Sequence, residues 1–84
     1  MQVHIKLFAT LRQQAGWAEK TVELPAGATV ETAVRQLAAE APGLDLRDRA
    51  LYAAVNRGYA SLTDTLADGD TLALFPPVSG GAHG

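Results

Sequence analysis

The C-terminal segment from Pro76 to Gly84 carries the most unusual residue pattern of the chain. It begins with two consecutive prolines, and three of its last five residues are glycine. Proline fixes φ and keeps the exit from a strand extended, whereas glycine has no side chain and passes through a narrow slot. From Pro76 to Gly81 the extended reach is about 20 Å. The pattern predicts a tail that projects into the active site of another protein; the alternative is an ordinary flexible terminus.

The histidines and aspartates do not match a recognisable metal or catalytic site. His4 and His83 are far apart in the sequence, and a zinc site needs more ligands than the chain offers. Asp64, Asp68 and Asp70 lack the spacing and the bidentate glutamate of a calcium loop. We expect these aspartates to stabilise turns, and we predict no metal site.

The length and composition indicate one small domain held together by hydrophobic burial. The chain has 84 residues and a mass of 8.8 kDa; 48% of its residues are apolar and 19% are charged. Two domains of this total length would each lack a core, and the apolar fraction is too high for a disordered chain. The absence of cysteine excludes a disulfide scaffold, a thiolate metal site and a cysteine nucleophile.

Charge and hydropathy limit the expected partners and location. Seven Lys and Arg against nine Asp and Glu give a net charge of −2, and no basic run could neutralise several phosphates. No apolar stretch approaches the roughly 20 residues that cross a bilayer. The N-terminus lacks a basic region followed by an apolar signal core. We therefore predict a cytoplasmic protein that binds neither nucleic acid nor membrane.

The first part of the chain alternates between apolar and polar residues, which predicts two paired strands. Residues 2–8 place three aliphatic side chains on one face and Phe8 on the other, and residues 19–24 alternate again. Between these strands, Thr10 and the glutamine three positions later match a capping box. This spacing predicts a short helix that Gly16 closes.

The middle of the chain contains the clearest helical pattern. Thr29 is a good N-cap, and Glu31 lies near the positive end of the helix. Apolar residues then recur at helical spacing up to Ala41, and Pro42-Gly43 ends the helix. Charged residues follow and predict a solvated connector.

The remainder of the domain is expected to consist of short strands and turns. The predicted elements are a strand over 50–55, a tight turn over 56–58 that tolerates positive φ, a brief strand over 59–61, one helical turn over 63–66, a reverse turn over 68–70 and a last strand over 71–75. The order of elements indicates an α+β fold, a β-grasp (ubiquitin-like) roll with one mixed sheet packed on one main helix. Residues 1–75 would form this domain and residues 76–84 the tail.

Several strings of the sequence resemble one family of this fold. The segment Leu66-Ala67-Asp68-Gly69-Asp70 and the tail Pro76-Pro77-Val78-Ser79-Gly80-Gly81 resemble the end of the MoaD-type sulfur carriers, the small subunits of molybdopterin synthase. Two upstream strings, Leu7-Phe8-Ala9 and Ala53-Ala54-Val55-Asn56, agree with this resemblance. A Gly-Gly pair alone is weak evidence, because ubiquitin and the thiamine sulfur carrier also have it.

The resemblance implies a function for the tail. In this family an E1-like activating enzyme uses ATP to convert the terminal glycine, here Gly81, to an acyl-adenylate. Sulfur then displaces AMP and leaves a thiocarboxylate. In the large subunit of molybdopterin synthase, the thiocarboxylate donates sulfur to the pterin precursor of molybdopterin. The small subunit itself binds no cofactor, and the catalytic groups belong mainly to the large subunit.

The sequence departs from the family pattern after the second glycine. Family members commonly finish there, whereas here Ala82, His83 and Gly84 follow Gly81. Gly81 therefore has no free carboxylate to activate. We predict that a peptidase removes these residues; otherwise Gly84 would be the reactive end.

Strand parity predicts a docking surface for the partner. Phe8 lies opposite the apolar face of the first strand, and Phe75 lies opposite the inward leucines of the last strand. Tyr59 would complete an exposed aromatic patch. The predicted partner-binding residues are Phe8, Tyr59, Phe75, Pro76, Pro77, Val78 and Gly80. The alternative is that a phenylalanine at a strand end turns inward or packs on the short helix.

Other functions remain open for a chain with this tail. A sulfur carrier for thiamine synthesis or tRNA thiolation is the nearest alternative. A ubiquitin-like modifier would share the activation step but would be joined to lysines of target proteins. A plain interaction domain would not need its glycines.

Overall fold

The computed structural model of the protein describes residues 1–41, 43–44 and 52–76. Within these residues the chain forms two helices and five strands. In chain order they are β1 (Gln2–Leu7), α1 (Thr10–Ala15), β2 (Glu19–Glu23), α2 (Val30–Glu40), β3 (Tyr52–Val55), β4 (Gly58–Ala60) and β5 (Thr71–Phe75).

The five strands form one mixed sheet. Their order across the sheet is β2-β1-β5-β3-β4. The central pair, β1 and β5, is parallel, with Leu7 opposite Leu74. The other three pairings are antiparallel. One face of this sheet is covered by α2, so the predicted α+β β-grasp fold is confirmed.

The core lies between α2 and the sheet. It consists of aliphatic side chains and alanines from both layers and from the connecting segments: Val3, Ile5, Leu7, Leu11, Val22, Leu24, Ala28, Val30, Ala33, Val34, Leu37, Leu44, Ala53, Leu66, Leu72 and Leu74. Complete burial of a leucine or isoleucine contributes about 1.5–3 kcal/mol. The inward faces predicted for β1, β2 and β5 are all in this set, and so are the first four positions of the α2 stripe; its last two, Ala38 and Ala41, are only partly buried against the core. Leu44, which the sequence placed at the start of a solvated connector, is buried instead.

The start of α2 confirms one prediction and corrects another. The Thr29 hydroxyl accepts the Thr32 amide at 3.3 Å, as expected for an N-cap. The predicted helical turn over 63–66 is wrong, because this segment supplies carbonyls to α2. Leu62 and Asp64 accept the amides of the first two helical residues at 2.9 and 3.0 Å. Those amides have no partner within the helix, so a hydrogen-bonded turn at Leu62 and Thr63, followed by a bridge from Thr65 to Thr29, brings up carbonyls that satisfy both groups.

The beginning of α1 also differs from the prediction. The capping position is Ala9, with φ 53° and ψ −131°, and no side chain caps the helix. Thr10 is already helical, because the Ala9 carbonyl accepts the Arg12 amide at 3.2 Å. The capping box at Thr10 is therefore wrong, whereas Gly16 ends the helix in a left-handed conformation as predicted.

Other boundaries shift by one or two residues. The hairpin turn places Gly58 inside β4, and the predicted start of β3 at residues 50–51 lies outside the described residues. Gly69 adopts φ 87° in the predicted reverse turn. No helix in the described residues is long and apolar enough to cross a membrane. The division between a domain over 1–75 and a tail over 76–84 stays a prediction.

Candidate functional site

The face of the sheet opposite α2, here called the open face, carries the side chains that alternate with the core. Leu7 and Leu74 are buried toward α2, so the residues that follow them point to the open face. The parallel register of β1 and β5 places Phe8 next to Phe75. The antiparallel register of β3 and β5 places Tyr52 opposite Phe75. Three strands therefore contribute one aromatic row, Phe8, Phe75 and Tyr52.

The aromatic row is packed internally and remains accessible. The rings of Phe8 and Phe75 stack with their centroids 4.6 Å apart and an interplanar angle of 11°. Such a pair contributes about 0.5–1.5 kcal/mol beyond its buried area. Phe8 is still 38% exposed and Tyr52 49% exposed. Rigid aromatic side chains that remain exposed are typical of a protein-binding surface.

A groove runs beside this row, here called the open-face groove. Its volume is about 620 Å³, and its lining comprises Lys6, Phe8, Ala54, Asn56, Arg57, Tyr59, Thr71, Ala73 and Phe75. Ala54 of β3 lies opposite Ala73 of β5 on one side and Tyr59 of β4 on the other. The small alanine side chains leave space between larger neighbours, so the groove can accept an apolar side chain from a partner.

The β3–β4 hairpin forms one end of the groove. Its two turn residues, Asn56 and Arg57, have φ values of 51° and 74°, and Val55 pairs with Gly58 across the turn. Positive φ at both central residues is typical of a type I′ hairpin. The turn directs Tyr59 to the open face, where it is 89% exposed.

Asn56 attaches this hairpin to the start of β5. The side-chain nitrogen Nδ2 of Asn56 donates to the Asp70 carboxylate at 2.9 Å, and its side-chain oxygen Oδ1 accepts the Thr71 backbone amide at 3.0 Å. The Asn56 backbone amide donates to the Thr71 carbonyl at 2.9 Å. These three bonds continue the pairing of β3 and β5 past the end of β3, so they fix the position of the turn relative to the groove.

The base of the tail lies at the other end of the open face. The Phe8 amide donates to the Leu74 carbonyl at 3.2 Å, and the strained backbone at Ala9 then turns the chain into α1. β1 therefore does not extend alongside Pro76, which itself lacks an amide hydrogen. A second recess of about 680 Å³ includes both Ala9 and Pro76 in its lining. The start of the tail thus adjoins the aromatic row.

His4 and Glu19 form a hydrogen-bonded pair at the margin of the open face. His4 Nε2 lies 2.8 Å from Glu19 Oε1, and its Nδ1 lies 3.3 Å from the Thr21 hydroxyl. The hydrogen bond with His4, followed by the charge of Lys6, holds the pKa of Glu19 below its ordinary value. His4 is a partly exposed strand residue, so the structure gives it a pairing role on the surface.

Asp64 and Asp70 have the turn role that the sequence predicted, whereas Asp68 joins its turn to the start of β1. Asp64, Asp68 and Asp70 each accept a backbone amide, at donor–acceptor distances of 2.7 to 2.9 Å. No group of three or more potential ligands within the described residues could hold a metal ion. His83 lies outside the described residues.

The structure brings together the predicted aromatic residues. Phe8, Phe75 and Tyr59 share the open face, and neither phenylalanine turns into the core. Pro77, Val78, Gly80 and Gly81 lie outside the described residues, as do Ala82, His83 and Gly84. Their roles, and partner binding at the open face, stay predictions.

Tyr52 is the exposed aromatic residue that the sequence analysis missed. It shares the open face with Phe75, and its chain neighbour Ala53 is buried. The signal was present in the period of two along β3, because an inward Ala53 requires an outward Tyr52. What the sequence did not reveal is that Tyr52 would lie directly opposite Phe75.

A comparison with known families identifies the relatives of this chain. The profile of the ThiS family matches residues 5–81. The chain belongs to the ThiS family. The ThiS-family match ends at Gly81, the second glycine of the tail, so the residues after Gly81 fall outside it.

Individual relatives cover almost the whole of this ThiS-family chain. The molybdopterin synthase sulfur carrier subunit of Chlamydomonas reinhardtii is 40% identical over 83 residues, which are 96% of this chain and 100% of the relative. Small archaeal modifier protein 1 of Haloferax volcanii is 42% identical over 84 residues, covering 90% and 97% of the two chains. The crystal structure of SAMP1 from Haloferax volcanii superposes with a TM-score of 0.80 at 35% identity, over 95% of this chain and 99% of that one.

Proposed function

We propose that this ThiS-family chain is the sulfur carrier and small subunit of a molybdopterin synthase. The observation that carries the proposal is its similarity, over nearly its whole length, to the Chlamydomonas reinhardtii sulfur carrier subunit. A Gly80-Gly81 pair at the end of the family match supports the same function, because the chemistry of a sulfur carrier takes place at a terminal glycine.

The proposed chemistry starts at the Gly81 carboxylate. A carboxylate oxygen attacks the α-phosphorus of ATP in an E1-like adenylating enzyme, and pyrophosphate leaves. A hydrosulfide ion then attacks the glycyl carbonyl, the bond to the adenylate oxygen breaks, AMP departs, and the S–H proton is released to solvent. The resulting thiocarboxylate donates its sulfur to the pterin precursor in the large subunit. In this scheme the chain itself binds no cofactor and acts in the cytoplasm.

The activation step requires a free carboxylate on Gly81. Because the chain continues into Ala82-His83-Gly84, a peptidase must first cleave after Gly81. The intended partners are therefore the large subunit, the adenylating enzyme and this peptidase.

Intact mass spectrometry tests the tail chemistry. The full-length chain and a chain ending at Gly81 are incubated with the adenylating enzyme, ATP and a sulfur donor. Only the shorter chain is expected to gain the mass of one oxygen replaced by sulfur. Equal rates for both chains would refute the processing step, and no sulfur uptake by the shorter chain would refute the sulfur-carrier function.

The open face is the proposed docking surface for the large subunit. Phe75 lies at the centre of the aromatic row, with Phe8 stacked on it and Tyr52 opposite. Since buried aromatic anchors commonly contribute about 2 kcal/mol or more, Phe75→Ala should weaken assembly at least about thirtyfold. Leu62→Ala is the matched control, because Leu62 is 49% exposed but lies beside the start of α2. Unchanged affinity for a folded Phe75→Ala variant would exclude this surface.

A ubiquitin-like modifier is the second candidate function. The relative named small archaeal modifier protein 1, 42% identical to this chain, is the observation that favours it. Both functions require an activated glycine, so the product distinguishes them. A modifier forms covalent adducts with lysines of other proteins, whereas a sulfur carrier accumulates as the free thiocarboxylate.

A further inference from the structure

The open-face groove is cationic, although the chain as a whole is acidic. Among residues 1–41, 43–44 and 52–76, its lining includes Lys6 and Arg57 and no acidic residue. The full chain has nine acidic against seven basic residues, so this local excess of positive charge runs against the overall composition. Lys6 lies on β1, and Arg57 lies in the turn between β3 and β4. Ala73 of β5 and Ala54 of β3 lie between these elements and form the floor of the groove.

Neither cation forms a salt bridge with an acidic group of the described residues, although the charge of Lys6 helps to lower the pKa of Glu19. No carboxylate oxygen in residues 1–41, 43–44 and 52–76 lies within 4.0 Å of the Lys6 ammonium or the Arg57 guanidinium. Glu19 lies opposite Lys6 in the β1–β2 register, but its carboxylate is bonded to His4 at 2.8 Å. Lys20, by contrast, has Glu40 at 4.0 Å and is outside the groove.

The arrangement of the groove specifies the chemistry of what it binds. Aromatic and alanine side chains form an apolar floor and wall, and the two cations flank this surface without neutralising partners in the lining. A complementary ligand therefore combines an apolar side chain with at least one carboxylate. A partner surface that lacks such a carboxylate would leave the two cations at the margin of the interface without a complementary charge.

Building on the function proposed above, we infer that the open-face groove selects an acidic segment of the large subunit, one that places an apolar side chain over Ala54 and Ala73 and a carboxylate near Lys6 and Arg57. The apolar contact determines how long the complex lasts. The cations mainly increase the rate of productive encounter, because charges at the margin of an interface steer association.

Association kinetics with the purified large subunit test this inference. The variants are Lys6→Gln, Arg57→Gln and the double variant, measured over a range of salt concentrations. The double variant should associate about tenfold more slowly at low salt, and its rate should depend less on salt than that of the wild type. Its dissociation rate should change by less than about threefold.

Arg35→Gln is the matched control for loss of a positive charge. Arg35 is an exposed arginine of α2, on the covered side of the sheet, where it pairs with Glu31 at 3.3 Å. It should leave both the association rate and its salt dependence close to those of the wild type. Thermal unfolding of every variant confirms that the fold is retained.

The outcomes separate this inference from the proposed function. If the wild type binds the large subunit and the double variant has the same association rate and salt dependence as the wild type, the inference is overturned. The proposed small-subunit function would then still stand. Failure of the wild type to bind the large subunit would overturn both. If the chain self-associates and Lys6→Gln abolishes this, a second copy of the chain is the occupant of the groove. If removal of the residues past Val78 makes binding to the large subunit faster, the tail is the occupant. Either result overturns the inference.

Discussion

Replacing Asn56 should destabilise the protein more than its exposure suggests. Its side chain bonds both Asp70 and Thr71, and two such exposed hydrogen bonds contribute about 0.5–1 kcal/mol each. Asn56 also has φ 51°, a conformation that disfavours alanine by about 1 kcal/mol more than asparagine. Asn56→Ala should therefore lower the free energy of unfolding by about 2–3 kcal/mol.

A companion variant separates the two causes. Asn56→Gly removes the same side-chain bonds but tolerates positive φ, so it should cost about 1 kcal/mol less than Asn56→Ala. For a domain of this size, each kcal/mol corresponds to about 4–8 °C in Tm, which predicts a fall of about 10–20 °C for the alanine variant. Urea and thermal unfolding followed by circular dichroism measure both variants.

Amide hydrogen exchange gives a readout specific to this bond network. The Thr71 amide should lose protection in both Asn56 variants, because Asn56 Oδ1 is its acceptor. Arg57→Gly is the control, since Arg57 has φ 74° but does not supply that acceptor. If Asn56→Ala lowers the free energy of unfolding by less than about 0.5 kcal/mol, or if the Thr71 amide keeps its protection from hydrogen exchange, the reasoning is refuted.

Three further substitutions test local features of the fold. Ala9→Gly should raise the free energy of unfolding by about 1 kcal/mol in urea titrations, because glycine relieves the strain at φ 53° and ψ −131° despite its larger unfolded-state entropy. Gly43→Ala should lower it by about 1–3 kcal/mol, since the new Cβ would lie 2.9 Å from the Gln14 carbonyl oxygen. His4→Val should raise the pKa of Glu19, measured by NMR titration, because the His4 hydrogen bond is the main cause of its lowering.

For each of these predictions, one defined result would contradict it. An unchanged or lower stability of Ala9→Gly would show that the backbone at Ala9 stores no strain. Gly58→Ala is the control for Gly43, because its nearest neighbour atom is 3.7 Å from the added Cβ; equal losses at both sites would refute a specific clash. An unchanged titration of Glu19 in His4→Val would refute the assigned cause.

The Glu19 interaction also has a defined pH dependence. The folded-state pKa is lowered from the ordinary value of 4.5, so the hydrogen bond with His4 and the charge of Lys6 stabilise the protein above that pH, where Glu19 is ionised. This contribution is lost as the pH falls through the lowered folded-state pKa. His4→Val should reduce that part of the stability profile and leave the smaller contribution of Lys6.

Local patterns in the sequence predicted most of the elements and the orientation of their side chains. Alternation in β1 and β5 assigned the inward leucines and the outward phenylalanines, because successive side chains of a strand point to opposite faces. The helical spacing of apolar residues identified α2, and the residue type of Thr29 identified its N-cap. Both signals are local in the sequence. The glycine and proline composition singled out the tail, since backbone freedom and the missing proline amide are properties of the residue itself.

Only the tertiary structure determined which of these side chains meet. Phe8 and Phe75 stack because β1 and β5 are parallel neighbours, a pairing between opposite ends of the chain that neither local pattern contains. The segment around Leu62 is a single hydrogen-bonded turn, in which the Asp64 amide donates to the Ser61 carbonyl, and its carbonyls accept the first amides of α2. Alternation assigns a face to each residue of a strand, whereas the register between strands, which joins the aromatic row to the groove, depends on the packing of the whole sheet.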